Sequence, residues 1–148
     1  MTFVHESRLR VPGALEGRTC GECAACCTVM AIPVLAKPAR RACDHVRRSG
    51  CGIYDERPEP CRDFHCLWLR GAVGDGEESR PDALGVLFDQ CALRATGEVV
   101  TVACELWAGA AALPEARRAI EAVVEAIAPR VLALSRYDGS WSELQIER

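Results

Sequence analysis

Long apolar runs are missing from this sequence. No stretch approaches the ~18 consecutive apolar residues of a membrane-spanning helix. The opening residues, Met1 to Arg10, lack the apolar segment of a secretion signal. Aromatics make up only 5% of the chain, lysine occurs once (Lys37), and the formal charge is −3. A basic surface interleaved with aromatics cannot be built from that set, so nucleic acid is not an expected partner. There is no P-loop, no Gly-x-Ser-x-Gly elbow and no paired-histidine metalloprotease motif. Phosphoryl transfer and ordinary hydrolysis have no carrier here, and no catalytic residue is expected. No internal repeat and no low-complexity tract occurs.

Cysteine, in contrast, is abundant. The chain has 148 residues and ten cysteines, and 49% of it is hydrophobic. That length and composition fit one domain with a sizeable core. Without an export signal or membrane span, the expected location is cytoplasmic. Thiols there stay reduced unless they bind metal or do redox work.

Eight of the ten cysteines fall between positions 20 and 66. Cys20, Cys23 and Cys26 stand three apart, so a tight turn can aim all three at one point, as a soft or borderline ion requires. Cys27 follows at once. Adjacent side chains diverge, so Cys27 is expected to face a second centre, or another part of a multinuclear one. Cys43, Cys51, Cys61 and Cys66 complete the set. Eight thiols match two four-cysteine sites in number, but spacing does not give the partition. His45 and His65 lie beside the window and could each replace a thiol as ligand. Arg18, Arg57 and Arg62 are candidates to offset thiolate charge. Zinc suits such a donor set. Cys20-x2-Cys23-x2-Cys26 also opens like a bacterial ferredoxin run, so iron or an iron–sulfur cluster stays open as the alternative. Cys91 and Cys104, among apolar neighbours, read as buried structural cysteines that could face each other across a hairpin.

The expected fold is α+β. A loop-rich cysteine region over 18–70 packs on a small antiparallel sheet with one longer C-terminal helix over 82–148. A Pro12-Gly13 turn is expected in the lead-in, an extended segment over Thr28–Leu35, and a short helix over Arg40–Arg48. The glycine-rich stretch Gly71–Pro81 marks the boundary between the halves. Strand-like pieces follow at Leu84–Phe88, Cys91–Arg94 and Val99–Trp107, the last two joined as a hairpin. Pro114 suits a helix first turn, and Ala116, Ile120, Val123 and Ile127 recur at helical spacing. Pro129 ends or kinks that helix. Val131–Leu134 is too short for its type to be read from periodicity, and Asp138-Gly139 marks a turn.

The pattern Cys20-x2-Cys23-x2-Cys26-Cys27, then Cys43, then Cys51-Gly-Ile-Tyr54-Asp-Glu-Arg57-Pro58-Glu-Pro-Cys61-Arg62 and Cys66, resembles the YkgJ-type CxxCxxCC cysteine-cluster family. That resemblance covers residues 18–70. It implies a zinc- or iron-chelating domain whose ligands are Cys20, Cys23, Cys26, Cys27, Cys43, Cys51, Cys61 and Cys66. It supplies a site and a metal-ion partner, not a reaction.

Overall fold

The computed structural model describes residues 3–5, 17–74, 76–93 and 95–145. The expected Pro12-Gly13 turn lies outside these residues. The fold is α+β, built around a five-stranded sheet. Its strands are β1 (Phe3–His5), β4 (Val86–Leu93), β5 (Val99–Glu105), β6 (Leu132–Ser135) and β7 (Trp141–Leu144), side by side in that order. A separate two-stranded ribbon pairs β2 (Val46–Arg47) with β3 (Gly50–Cys51). Among the described residues there are four α-helices: α1 (Ala25–Val29), α2 (Glu59–Asp63), α3 (Pro81–Leu84) and α4 (Pro114–Ile127).

The hairpin forms as expected, but β4 is one continuous strand through Asp89 and Gln90, paired antiparallel with all of β5. The sheet is not wholly antiparallel, because β5 and β6 run parallel. The 14-residue α4 accounts for this: it carries the chain back along one face, so β6 starts from the same end as β5. The short apolar piece near residue 132 is therefore a strand, and the Asp138-Gly139 turn joins it to β7.

Alternation along the strands separates two apolar layers. Val86, Phe88, Ala103, Leu132 and Leu134 meet Ala116, Ile120, Val123 and Val124 of α4. Pro114 starts that helix, where its missing N–H costs nothing, and the predicted apolar stripe is the buried one. On the opposite face, Leu87 packs with Ala25, Phe64, Cys66, Trp68 and Leu69, with Cys20, Cys23, Cys26, Cys104 and Leu106 at the margin of the cluster. The cysteine region thus covers the face of the sheet that α4 leaves open.

Polar contacts fasten this layer. Leu67 donates its N–H to the Phe88 carbonyl at 2.9 Å, filling the edge of β4 where β1 does not reach. The Arg40 guanidinium donates to Ser135 Oγ and to the Glu105 carbonyl. Arg18 donates to the Trp68 and Gly74 carbonyls and lies 4.9 Å from the centre of the Trp68 ring. Trp68 in turn donates Nε1–H to the Gly76 carbonyl at 3.0 Å. Glu105 is buried, and its carboxylate accepts the N–H groups of Ala111 and Tyr137, each at 3.0 Å. It thereby ties the end of β5 to the turn before α4 and to the β6–β7 hairpin. Among the described residues no helix is long and apolar enough to cross a membrane.

Two local expectations are corrected. Residues 28–35 are not an extended segment. Helix α1 runs through Val29, closed by Met30 N–H to the Cys26 carbonyl, and Pro33–Leu35 is a 3-10 turn inside an Ile32–Lys37 bridge. Residues 40–48 are not a helix either. Gly50 adopts φ +109°, a conformation other residues rarely adopt, so the chain turns back and pairs Val46 with Cys51.

Candidate metal centre

Short-range hydrogen bonds shape each thiol-bearing loop. Cys23 N–H to the Cys20 carbonyl at 2.8 Å closes the first turn. Cys26 and Cys27 sit on α1, where neighbouring side chains point about 100° apart. Cys43 N–H donates to the Cys27 carbonyl at 3.0 Å, anchoring the second loop to α1. Val46 N–H to the Cys43 carbonyl and Gly52 N–H to the His45 carbonyl set the ribbon, which delivers Cys51. Helix α2 delivers Cys61, and Cys66 follows after the chain turns toward the sheet.

The ribbon lies directly on the first loop. A Cβ at Gly50 would sit 2.9 Å from the Gly21 carbonyl oxygen. Seven of the eight cysteines of the window, Cys20, Cys23, Cys26, Cys27, Cys43, Cys51 and Cys61, line one cavity of about 50 Å³. Small-molecule pockets run to ~300–1,000 Å³, so this one has room for ions and not for an organic ligand. Cys66 is buried against the sheet beside Cys20, Cys23 and Cys26. None of the ten cysteines forms a disulfide.

Burial and mutual charge set the thiol protonation. Burial pushes Cys23 and Cys66 up to about 11, and it raises Cys20 and Cys61 as well. Cys26 and Cys27 share a hydrogen bond that splits them. Cys27 is lowered to about 7 by that bond, helped by Lys37 and Arg57, and Cys26 is raised well above the usual thiol range. A thiol that ligates a metal must first give up its proton.

Cations surround the thiols, and one was missed in the sequence. Lys37 is buried and donates to the Thr28 and Met30 carbonyls, with Cys27, Cys43 and Cys61 about it. The signal was present, since it is the only lysine of an arginine-rich chain. Arg57 fulfils its expected place. It stacks 3.8 Å from the centre of the Tyr54 ring and acts on Cys20, Cys27 and Cys61. Arg80, also unforeseen, lies near Cys20 and Cys23 in a forked pair with Asp82 at 2.6 and 2.8 Å. That pairing holds the Asp82 carboxyl below the usual range. Arg18 braces the Trp68 wall instead of the thiols, and Arg62 is exposed. His45 lines the cavity, whereas His65 does not.

Cys91 and Cys104 lie outside the cavity and do not face each other. Cys91 is opposite Val100 and Cys104 is opposite Leu87, four positions apart along the ladder. Burial raises both thiols, Cys104 to about 11.

Among the described residues no group of three or more Cys, His, Asp or Glu side chains already converges as a coordination shell. The donors nevertheless fit a soft or borderline metal in type, number and shared location. No family model, no curated protein and no solved structure matches this chain.

Proposed function

We propose that this protein binds zinc through Cys20, Cys23, Cys26, Cys27, Cys43, Cys51, Cys61 and Cys66, with His45 at the rim of the same cavity. One observation carries the reading: seven of these thiols line a single ion-sized cavity, with the eighth packed behind it. Ten reduced cysteines in one short chain suit a cytoplasmic protein. The resemblance of residues 18–70 to the YkgJ-type cysteine-cluster family points the same way. Bound zinc would supply folding energy to loops that bury little surface of their own, and no redox chemistry. The role is metal binding, structural or for metal handling.

Iron–sulfur ligation is the second reading. It is favoured by the shared cavity, which would also admit a cluster, and by the Cys20-x2-Cys23-x2-Cys26 opening. Elemental analysis and an absorption spectrum of protein purified anaerobically without added metal decide between them. A colourless sample with about two zinc ions per chain, one per four thiolates, is expected. A brown sample containing iron and sulfide selects the second reading. A folded, metal-free protein overturns both.

A further inference from the structure

We propose that metal ions reach the thiol cavity through the polar pocket that adjoins it, and that His45 carries each ion across the shared wall as a transient ligand. This rests on the zinc reading above and gives His45 a kinetic role, not a place in the loaded site.

Two spaces meet at one wall. The thiol cavity of about 50 Å³ is lined by seven cysteines and by apolar groups such as Met30, Ile53 and Phe64. A second pocket, of about 250 Å³, is polar and is lined by Lys37, Arg41 and Asp44. Leu35, Cys43 and His45 line both spaces. Of these three, Cys43 and His45 carry atoms that bind metal. The ribbon fixes their place: Val46 N–H donates to the Cys43 carbonyl at 3.1 Å, and Gly52 N–H donates to the His45 carbonyl at 2.7 Å.

Size makes this wall the place of dehydration. An ion with six waters fills roughly 200 Å³, at ~30 Å³ per water. The second pocket takes it whole, and the thiol cavity does not. The water shell must therefore be exchanged for protein donors where the two spaces meet. A thiol must lose a proton before it ligates, whereas a neutral imidazole offers its lone pair at once. His45 is thus suited to take the ion first, and Cys43 to take it next. One donor acts at a time, so no preformed coordination shell is needed for the transfer.

Charge makes the pocket a passage and not a store. Its one carboxylate, Asp44, stands against two cations, Lys37 and Arg41. The Lys37 ammonium is held by the Thr28 and Met30 carbonyls, and Arg41 is exposed. A dication gains little by resting there and moves on to the thiols. The lip of the thiol cavity at Tyr54 offers a poorer entrance, because the Arg57 guanidinium is stacked 3.8 Å from the centre of that ring.

Two variants test this on the reduced, full-length protein: H45A, and H45F, which fills the same space with a ring that has no donor atom. Zinc loading is followed by stopped flow, and zinc release by the colorimetric chelator 4-(2-pyridylazo)resorcinol. Both variants should load and release zinc slower by about tenfold or more, the scale on which partner groups alter metal sites. Zinc stoichiometry, affinity in a chelator competition and Tm should match wild type, because a transient ligand speeds both directions alike. Wild-type rates in either variant overturn the inference. So does a loss of zinc affinity or of Tm in H45A, which would make His45 a resident ligand or a structural group. Each of these results leaves the zinc reading intact. A wild-type protein that binds no zinc overturns both.

Discussion

Replacing Gly50 by alanine should separate the ribbon from the first cysteine loop. The residue has φ +109°, and an added Cβ would lie 2.9 Å from the Gly21 carbonyl oxygen. An alanine forced to positive φ costs about 1–2 kcal/mol. The stiffer unfolded chain returns roughly 0.4–1 kcal/mol. The contact is with backbone, which cannot rotate away, so the ribbon must move, at a further ~1–3 kcal/mol typical of overpacking. The total is about 2–4 kcal/mol, or roughly 6–12 °C in Tm for a chain of this size. Gly97 provides the control, with φ +72° and nothing within 4 Å of an added Cβ. G97A should cost about 1 kcal/mol, near 3 °C, from the backbone alone. Thermal unfolding followed by circular dichroism, with zinc content measured on the same samples, reads both variants. G50A should also bind zinc more weakly, whereas G97A should not. Equal Tm and equal zinc content in the two variants would refute the close approach of ribbon and loop.

Three further perturbations test other parts of the structure. Lys37→Met keeps the length of the side chain and removes its buried charge. It should weaken zinc binding by about 10–100-fold in a chelator competition and lower the thermal transition of the loaded protein with it; unaltered affinity would remove Lys37 from the site. Glu105→Gln leaves only one oxygen to accept from Ala111 or Tyr137. It should cost about 1–3 kcal/mol in urea unfolding, and an unchanged midpoint would contradict the anchoring role. Alkali should destabilise the zinc-loaded protein through Cys104, which lies outside the proposed ligand set and whose thiol is pushed up to about 11 in the fold against 9.0 in its ordinary state. Above pH 9 the unfolded chain has released this proton while the folded one retains it, so stability falls as pH rises from 9 to about 11. C104A should make that fall in a stability–pH profile shallower, Cys91 contributing in the same direction, and a curve identical to wild type would exclude the Cys104 thiol as a cause.

Much of the fold's second half was legible because its signals are local. Pro114 and the apolar residues at helical spacing mark α4 nearly to the residue, and Ala95-Thr-Gly-Glu98 marks the hairpin. The strand expected as two pieces runs unbroken through Asp89 and Gln90. Propensity is a weak guide there, since pairing with Val102 and Thr101 holds both residues in the strand. The cysteine loops were read less well. The helix expected over 40–48 gave way to a ribbon, because one glycine's conformation and its packing on Gly21 outweigh helix formation by the residues before it.

The sequence by itself determined that eight thiols crowd one short window and that a helix and a hairpin follow. Each of these depends on spacing of a few residues, which the backbone imposes wherever the chain goes. Only the tertiary structure decided that β5 and β6 run parallel, that Cys91 and Cys104 lie four positions apart, and that Cys66 belongs with the first loop against the sheet. Only the fold, too, brought Lys37 beneath Cys27, Cys43 and Cys61. These are contacts between segments distant in sequence, chosen by which apolar faces must be covered and which charges need partners once they are buried.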